Sequence, residues 1–104
     1  ANQRGLAEEL LKRLTAEERV WVENAVKEFN GLTPREQEIA HRLAASHNTE
    51  GIAQALSLSS KTAENYIGHV YDKLGLSEMG KQAPNLRKVV VLAKACMIFD
   101  LRGK

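Results

Sequence analysis

Lys61, Thr62, Asn65 and His69 fall within the stretch "SLSSKTAENYIGHVYDKLGL". On a helix, positions 61, 65 and 69 stack by fours and position 62 lies beside them. That groups an ammonium, a hydroxyl, a carboxamide and an imidazole on one side. The set suits hydrogen bonding and charge rather than bond making. Lys61 and Thr62 fit phosphate anchors, and Asn65 can pair twice with the edge of an adenine. Glu64 can accept from cytosine N4 or repel phosphate, so we assign it a selectivity or weakening role. Tyr66 suits packing, or one hydrogen bond to phosphate, better than stacking on a base. Spacing alone leaves an ordinary solvated face equally open.

Other chemistry finds little support. His41, His47 and His69 have no cysteine or carboxylate cluster at ligand spacing, which argues against a metal site. Cys96 sits in an apolar stretch and reads as a small core residue rather than a nucleophile. There is no convincing Ser-His-Asp set, glycine-rich phosphate loop or paired carboxylate motif. We therefore expect no enzyme, no cofactor and no metal.

The 104 residues are 43% apolar and 27% charged, which fits one small domain, or a small domain with an appendage. With one cysteine no internal disulfide can form, and a reducing cytoplasm is the natural setting. The sequence shows no signal peptide. Its longest apolar run, "VVVLAKACMIF", is too short for a bilayer and contains Lys94. The chain opens on Ala1 rather than Met, which leads us to expect a longer parent protein.

The net charge of +2 says less than its distribution. Residues 1–30 hold five Lys/Arg and six Asp/Glu, residues 31–80 hold four and six, and residues 81–104 hold six and one. The positive excess is thus in the last quarter, on Lys81, Arg87, Lys88 and Lys94. A soluble outer helix face would explain it. So would Lys81, Arg87 and Lys88 lying near phosphates, each contact adding about 0.9 to the salt slope on duplex DNA.

The elements that would position these groups are helices. Leu6, Leu10 and Leu14 step by four over residues 3–14. "TAEE" from Thr15 is a capping box, and Val22, Val26 and Phe29 form a stripe widened by Trp21 and Ala25. Asn30-Gly31 ends that helix. "TPRE" repeats the device, with Thr33 as cap, Pro34 first in the helix and Glu36 closing the box. Arg35 and Glu36 are mainly structural, though Arg35 can reach a phosphate. Ile39, Ala40 and Leu43 face inward. Asn48 or Thr49 caps a short helix through Ile52, Ala53 and Leu56. Ser59 or Ser60 caps the next, which runs to Leu74 with Ala63, Ile67 and Val70 inward and Gly75 as its stop. Pro84 then starts a last helix whose apolar face is Leu86, Val89, Val90, Ala93 and Met97.

Two short helices joined by a turn, the second capped by serine, make a helix-turn-helix. The first helix braces the second, whose N-terminal half can enter the major groove of B-DNA. "LTPREQEIAHRLA" and "IAQALSLSSKTAENYIGHVYDKLGL" resemble the LuxR/FixJ (GerE-like) helix-turn-helix of bacterial transcriptional regulators. Leu32, Thr33, Arg35, Glu36, Ile52, Ala53, Leu56, Ser59, Thr62, Tyr66, Ile67, Lys73, Leu74 and Gly75 fall on its pattern without a gap. The resemblance covers residues 32–77. It departs at Ser46, Gly51 and Ala63, which stand where the family usually has Gly, Glu and Val. Gly68 inside the third helix costs about 1 kcal/mol against Ala.

The resemblance implies an all-α fold: a four-helix DNA-binding unit over residues 32–104, preceded by one or two helices in residues 1–31 that act as extension or linker. It implies a duplex-facing surface from Ser60, Lys61, Thr62, Glu64, Asn65, Tyr66, Gly68, His69 and Lys73. Of these, Glu64, Asn65 and Gly68 occupy positions that face base edges in relatives. Arg35, Lys81, Arg87 and Lys88 are expected phosphate contacts. The family dimerises through its last helix, so Val89, Val90, Ala93 and Met97 are the expected homodimer interface. Expected partners are double-stranded DNA, a second copy, an upstream sensor or receiver domain and RNA polymerase, with no membrane. Two other readings stay open: a helix-turn-helix used for protein interaction with weak or no DNA binding, and a sigma-region-4-like module that also contacts polymerase.

Overall fold

A computed structural model describes residues 3–46 and 48–103. Seven α-helices are present among them, and no strand: α1 Gln3–Lys12, α2 Ala16–Glu28, α3 Pro34–Ser46, α4 Thr49–Ala55, α5 Ser60–Lys73, α6 Met79–Gln82 and α7 Lys88–Arg102. A single 3-10 turn, Phe29–Gly31, follows α2. The all-α architecture is the one the sequence implies.

The caps form as the residues dictate. Thr15 accepts the Glu18 amide at 3.1 Å, Asn48 the Gly51 amide at 3.2 Å, and Ser59 the Thr62 amide at 3.1 Å. Each satisfies a backbone donor that the helix leaves unpaired. Thr33 and Glu36 make the reciprocal box: Thr33 Oγ1 accepts the Glu36 amide at 3.2 Å and Glu36 Oε1 accepts the Thr33 amide at 2.8 Å. At Thr15 the expected return arm is diverted, because the Glu18 carboxylate meets Lys94 Nζ at 2.7 Å. α5 ends in a Schellman turn, with the Leu76 amide on the Tyr71 carbonyl and the Gly75 amide on that of Asp72. Gly75 has φ 74°, the left-handed conformation this turn requires.

α7 is the centre of the molecule, packed on α1, α2 and α3, while α5 lies on α3 and α4. Val91, Leu92, Ala95, Cys96 and Ile98 of α7 are buried, which is more than one stripe because three helices need apolar contact. They meet Val22, Ala25, Val26 and Phe29 of the α2 segment and Ile39, Ala40 and Leu43 of α3 in one continuous core.

Two expectations need correction. The last helix begins at Lys88, not Pro84; Pro84 lies in a turn in which the Leu86 amide bonds the Ala83 carbonyl, and a short α6 precedes it. Of the apolar residues expected on this helix, Val90 and Ala93 are half-buried and Met97 is 54% exposed, while Val91, Leu92, Ala95, Cys96 and Ile98 turn inward. α1 is also rotated by one residue. Ala7 and Leu11 are buried, Leu10 and Leu14 flank them, and Leu6 is 51% exposed. The small Ala7 lets α1 approach α7 more closely than a leucine stripe would.

Candidate nucleic-acid interface

α4, the turn at Leu56–Ser59 and α5 form the helix-turn-helix. Ser57 is left-handed at φ 56°, the only non-glycine residue with positive φ among the described residues. The Leu58 amide bonds the Ala53 carbonyl and the Ser57 amide that of Gln54, so this turn is a Schellman motif too. It reverses the chain in few residues and sets α5 across α4.

Ala63 and Val70 of α5 are fully buried, and Tyr66 and Ile67 pack against the core. The opposite side of α5 is open: Ser60, Lys61, Thr62, Glu64, Asn65, Gly68 and His69 are exposed. No other part of the described chain covers them. Thr62 is partly committed, since its hydroxyl oxygen accepts from Ser59 Oγ at 2.9 Å. Gly68 has nothing near the place where a Cβ would stand, so its lack of a side chain opens the middle of this face. The α5 N-terminus offers further amides and the positive end of its dipole.

The basic residues divide. Arg35, Lys81 and Arg87 are exposed and take part in no ion pair among the described residues. Lys88 lies over the Tyr71 ring, 5.6 Å from its centroid. Lys94 is taken by Glu18. Lys73, expected from the motif as a DNA contact, lies 2.7 Å from Glu36 Oε1 with its side chain 44% exposed. Glu36 is only 5% exposed, and a carboxylate so enclosed is costly without a partner. Its hydrogen bond to the Lys73 ammonium, then that to the Thr33 amide, holds its carboxyl below the usual range against the opposing effect of burial. Spacing gave no sign of this pair, because its members come from separate helices.

His41 is likewise structural. Nδ1 lies 2.8 Å from the Gln37 carbonyl and Nε2 lies 3.0 Å from both Asp100 oxygens, while the ring meets Phe29 edge-on at 5.6 Å. His47 lies outside the described residues. No group of three or more His, Cys, Asp or Glu that could hold a metal occurs among the described residues. Cys96 is 4% exposed and its thiol is pushed up to about 12, mainly by burial, so no thiolate forms near neutral pH. No helix is long and apolar enough to cross a membrane among the described residues.

Comparison with known proteins agrees with this geometry. The model of bacterial regulatory proteins of the luxR family matches residues 30–81, half of the chain. The chain is 43% identical over 63 residues to the transcriptional regulatory protein DesR of Bacillus subtilis (strain 168), covering 61% of this chain and 31% of DesR. It is 44% identical over 45 residues to the probable HTH-type transcriptional regulator GfsR of Streptomyces halstedii, covering 43% of this chain and 18% of GfsR. The chain thus spans less than a third of either relative's length. No solved structure matches it significantly.

Proposed function

The chain belongs to the luxR family of bacterial regulatory proteins, and from that premise we propose that it binds duplex DNA in a sequence-dependent way to regulate transcription. α5 enters the major groove with its N-terminal half. Lys61, Thr62 and Ser60 take phosphates, Asn65 reads a base edge, and His69 and Glu64 tune selectivity. Arg35, Lys81 and Arg87 supply flanking phosphate contacts, with Lys88 beside them.

The observation that carries this reading is the open outer face of α5, on which Lys61, Asn65 and His69 are all exposed while the opposite face is buried in the core. Fluorescence anisotropy with a short mixed-sequence duplex at low and moderate salt tests it. We expect binding that weakens as salt rises and is weaker in Lys61→Ala and Asn65→Ala, the Asn65 change costing about 1–3 kcal/mol on a selected site.

A second reading, a protein-interaction module, draws on the ion pairs. Lys73 and Lys94 are both committed within the chain, which reduces the cationic supply for DNA. A folded protein that binds no duplex even at low salt favours this alternative.

We further propose that the chain acts as a homodimer through α7, as suits a two-fold symmetric operator. Val89, Val90 and Ala93 are half-buried and Met97 is exposed, whereas α1, α2 and α3 occupy the rest of α7. Leu6 and Leu10 of α1 continue this apolar strip beside Met97. Sedimentation should give a dimer for the wild type and a monomer for Met97→Glu. A wild-type monomer at high concentration counts against the interface.

A further inference from the structure

The geometry points to Lys73 and Glu36 as a positioning pair that pins the C-terminal end of α5 to the N-terminal end of α3, fixing the angle at which α5 presents its outer face. The functional consequence rests on the duplex-binding reading of that face; the pinning itself does not. Lys73 is the last residue of α5, about 18 Å along the axis from Lys61 at about 1.5 Å per residue. It is therefore at the far end from the half proposed to meet bases.

The carboxylate it meets is not free to follow it. Glu36 Oε1, 2.7 Å from Lys73 Nζ, is the same atom that accepts the Thr33 amide at 2.8 Å. Thr33 Oγ1 in turn holds the Glu36 amide. Lys73 thus closes onto a capping box that is already fixed in orientation. The Glu36 side chain is 7% exposed and that of Lys73 44%, so the lysine reaches inward to a largely enclosed carboxylate. The two residues are 37 apart in sequence, and no local helix rule joins them. Were Lys73 to turn outward to a phosphate, it would leave that carboxylate without its counter-ion. The other end of α5 is held by α4 through the Ser57 turn and buried Ala63. With both ends fixed, the helix has one projection angle.

The test uses the full 104-residue chain as wild type, Lys73→Met, Lys73→Arg and Glu36→Gln. Duplex binding is measured by anisotropy with a short mixed-sequence oligonucleotide between about 50 and 200 mM salt. Amide hydrogen exchange in the last turn of α5 is measured in the DNA-free proteins. Lys73→Met should bind roughly tenfold more weakly at every salt concentration, with the wild-type slope of log K on log salt. Lys73→Arg should restore binding, and Glu36→Gln should reproduce the methionine variant. Exchange near Tyr71 should accelerate in Lys73→Met and Glu36→Gln and recover in Lys73→Arg. A slope lowered by about 0.9 in Lys73→Met marks a phosphate contact and overturns the proposal. Unchanged exchange in both Lys73→Met and Glu36→Gln overturns it as well. If the wild type binds no duplex while exchange responds as described, the duplex-binding reading fails and the pinning of α5 on α3 stands.

Discussion

His41 is held from both ring nitrogens, and that decides its preferred charge. A neutral imidazole has one donor, yet the Gln37 carbonyl and the Asp100 carboxylate both ask for one. Burial opposes the charge, but the bond to Gln37 and then the pull of Asp100 outweigh it, so the pKa is raised. A raised folded-state pKa gives stability that is complete below the unfolded value of about 6.5 and is lost as pH rises through the folded value. With side chains 41% and 44% exposed, solvent screening keeps the effect under about 1 kcal/mol. Urea midpoints should therefore drop modestly from mildly acidic to mildly alkaline pH, and His41→Gln should flatten that change. A wild-type midpoint flat across this range contradicts the assignment. Glu36 behaves in the opposite sense: its depressed pKa supports the fold above the ordinary carboxylate range and ceases to do so only in acid.

The turn between α4 and α5 carries its own strain. A left-handed conformation costs an L-residue about 1 kcal/mol or more, and Ser57 adopts it where glycine is usual. Ser57→Gly should raise the unfolding free energy by about 0.5–1 kcal/mol, net of the greater chain entropy of glycine. A loss of stability in that variant would show that the Ser57 side chain repays its conformation through contacts in the turn. The caps around this turn were legible in advance because they are local. Ser59 and Asn48 each had a neighbour that could have served, and the structure selects them over Ser60 and Thr49. The rotation of α1 and the start of α7 were not legible in the same way. Leu6, Leu10 and Leu14 make a stripe as regular as that of Ala7 and Leu11. What chooses between them is the closeness of α7, which no spacing within α1 contains. Pro84 offers a favourable helix start, yet the chain turns there, with the Leu86 amide on the Ala83 carbonyl, and the helix begins only at Lys88.

In the whole molecule, four ion pairs among the described residues join distant segments: Glu36 with Lys73, Glu18 with Lys94, His41 with Asp100, Glu8 with Arg102. Three of the four end on α7, the helix that also supplies the centre of the core. α1, α2 and α3 thus share one buried spine, on which α4 and α5 rest through α3, and a cation that looks available in sequence can be occupied in the fold. Lys73, an expected DNA contact, and Lys94 each meet a carboxylate of the same chain. Lys61, Asn65 and His69 stay in solvent, since their helix turns its small and apolar side inward. The exposure of the candidate site was legible where one face of α5 decided it and illegible where a second helix did.

Amide chemical-shift mapping of the full chain during titration with a short duplex tests this most directly. The largest changes should fall on residues 59–69, with smaller ones near Arg35, Lys81 and Arg87. Saturable changes confined to α1 and α7, with α5 unmoved, would contradict it.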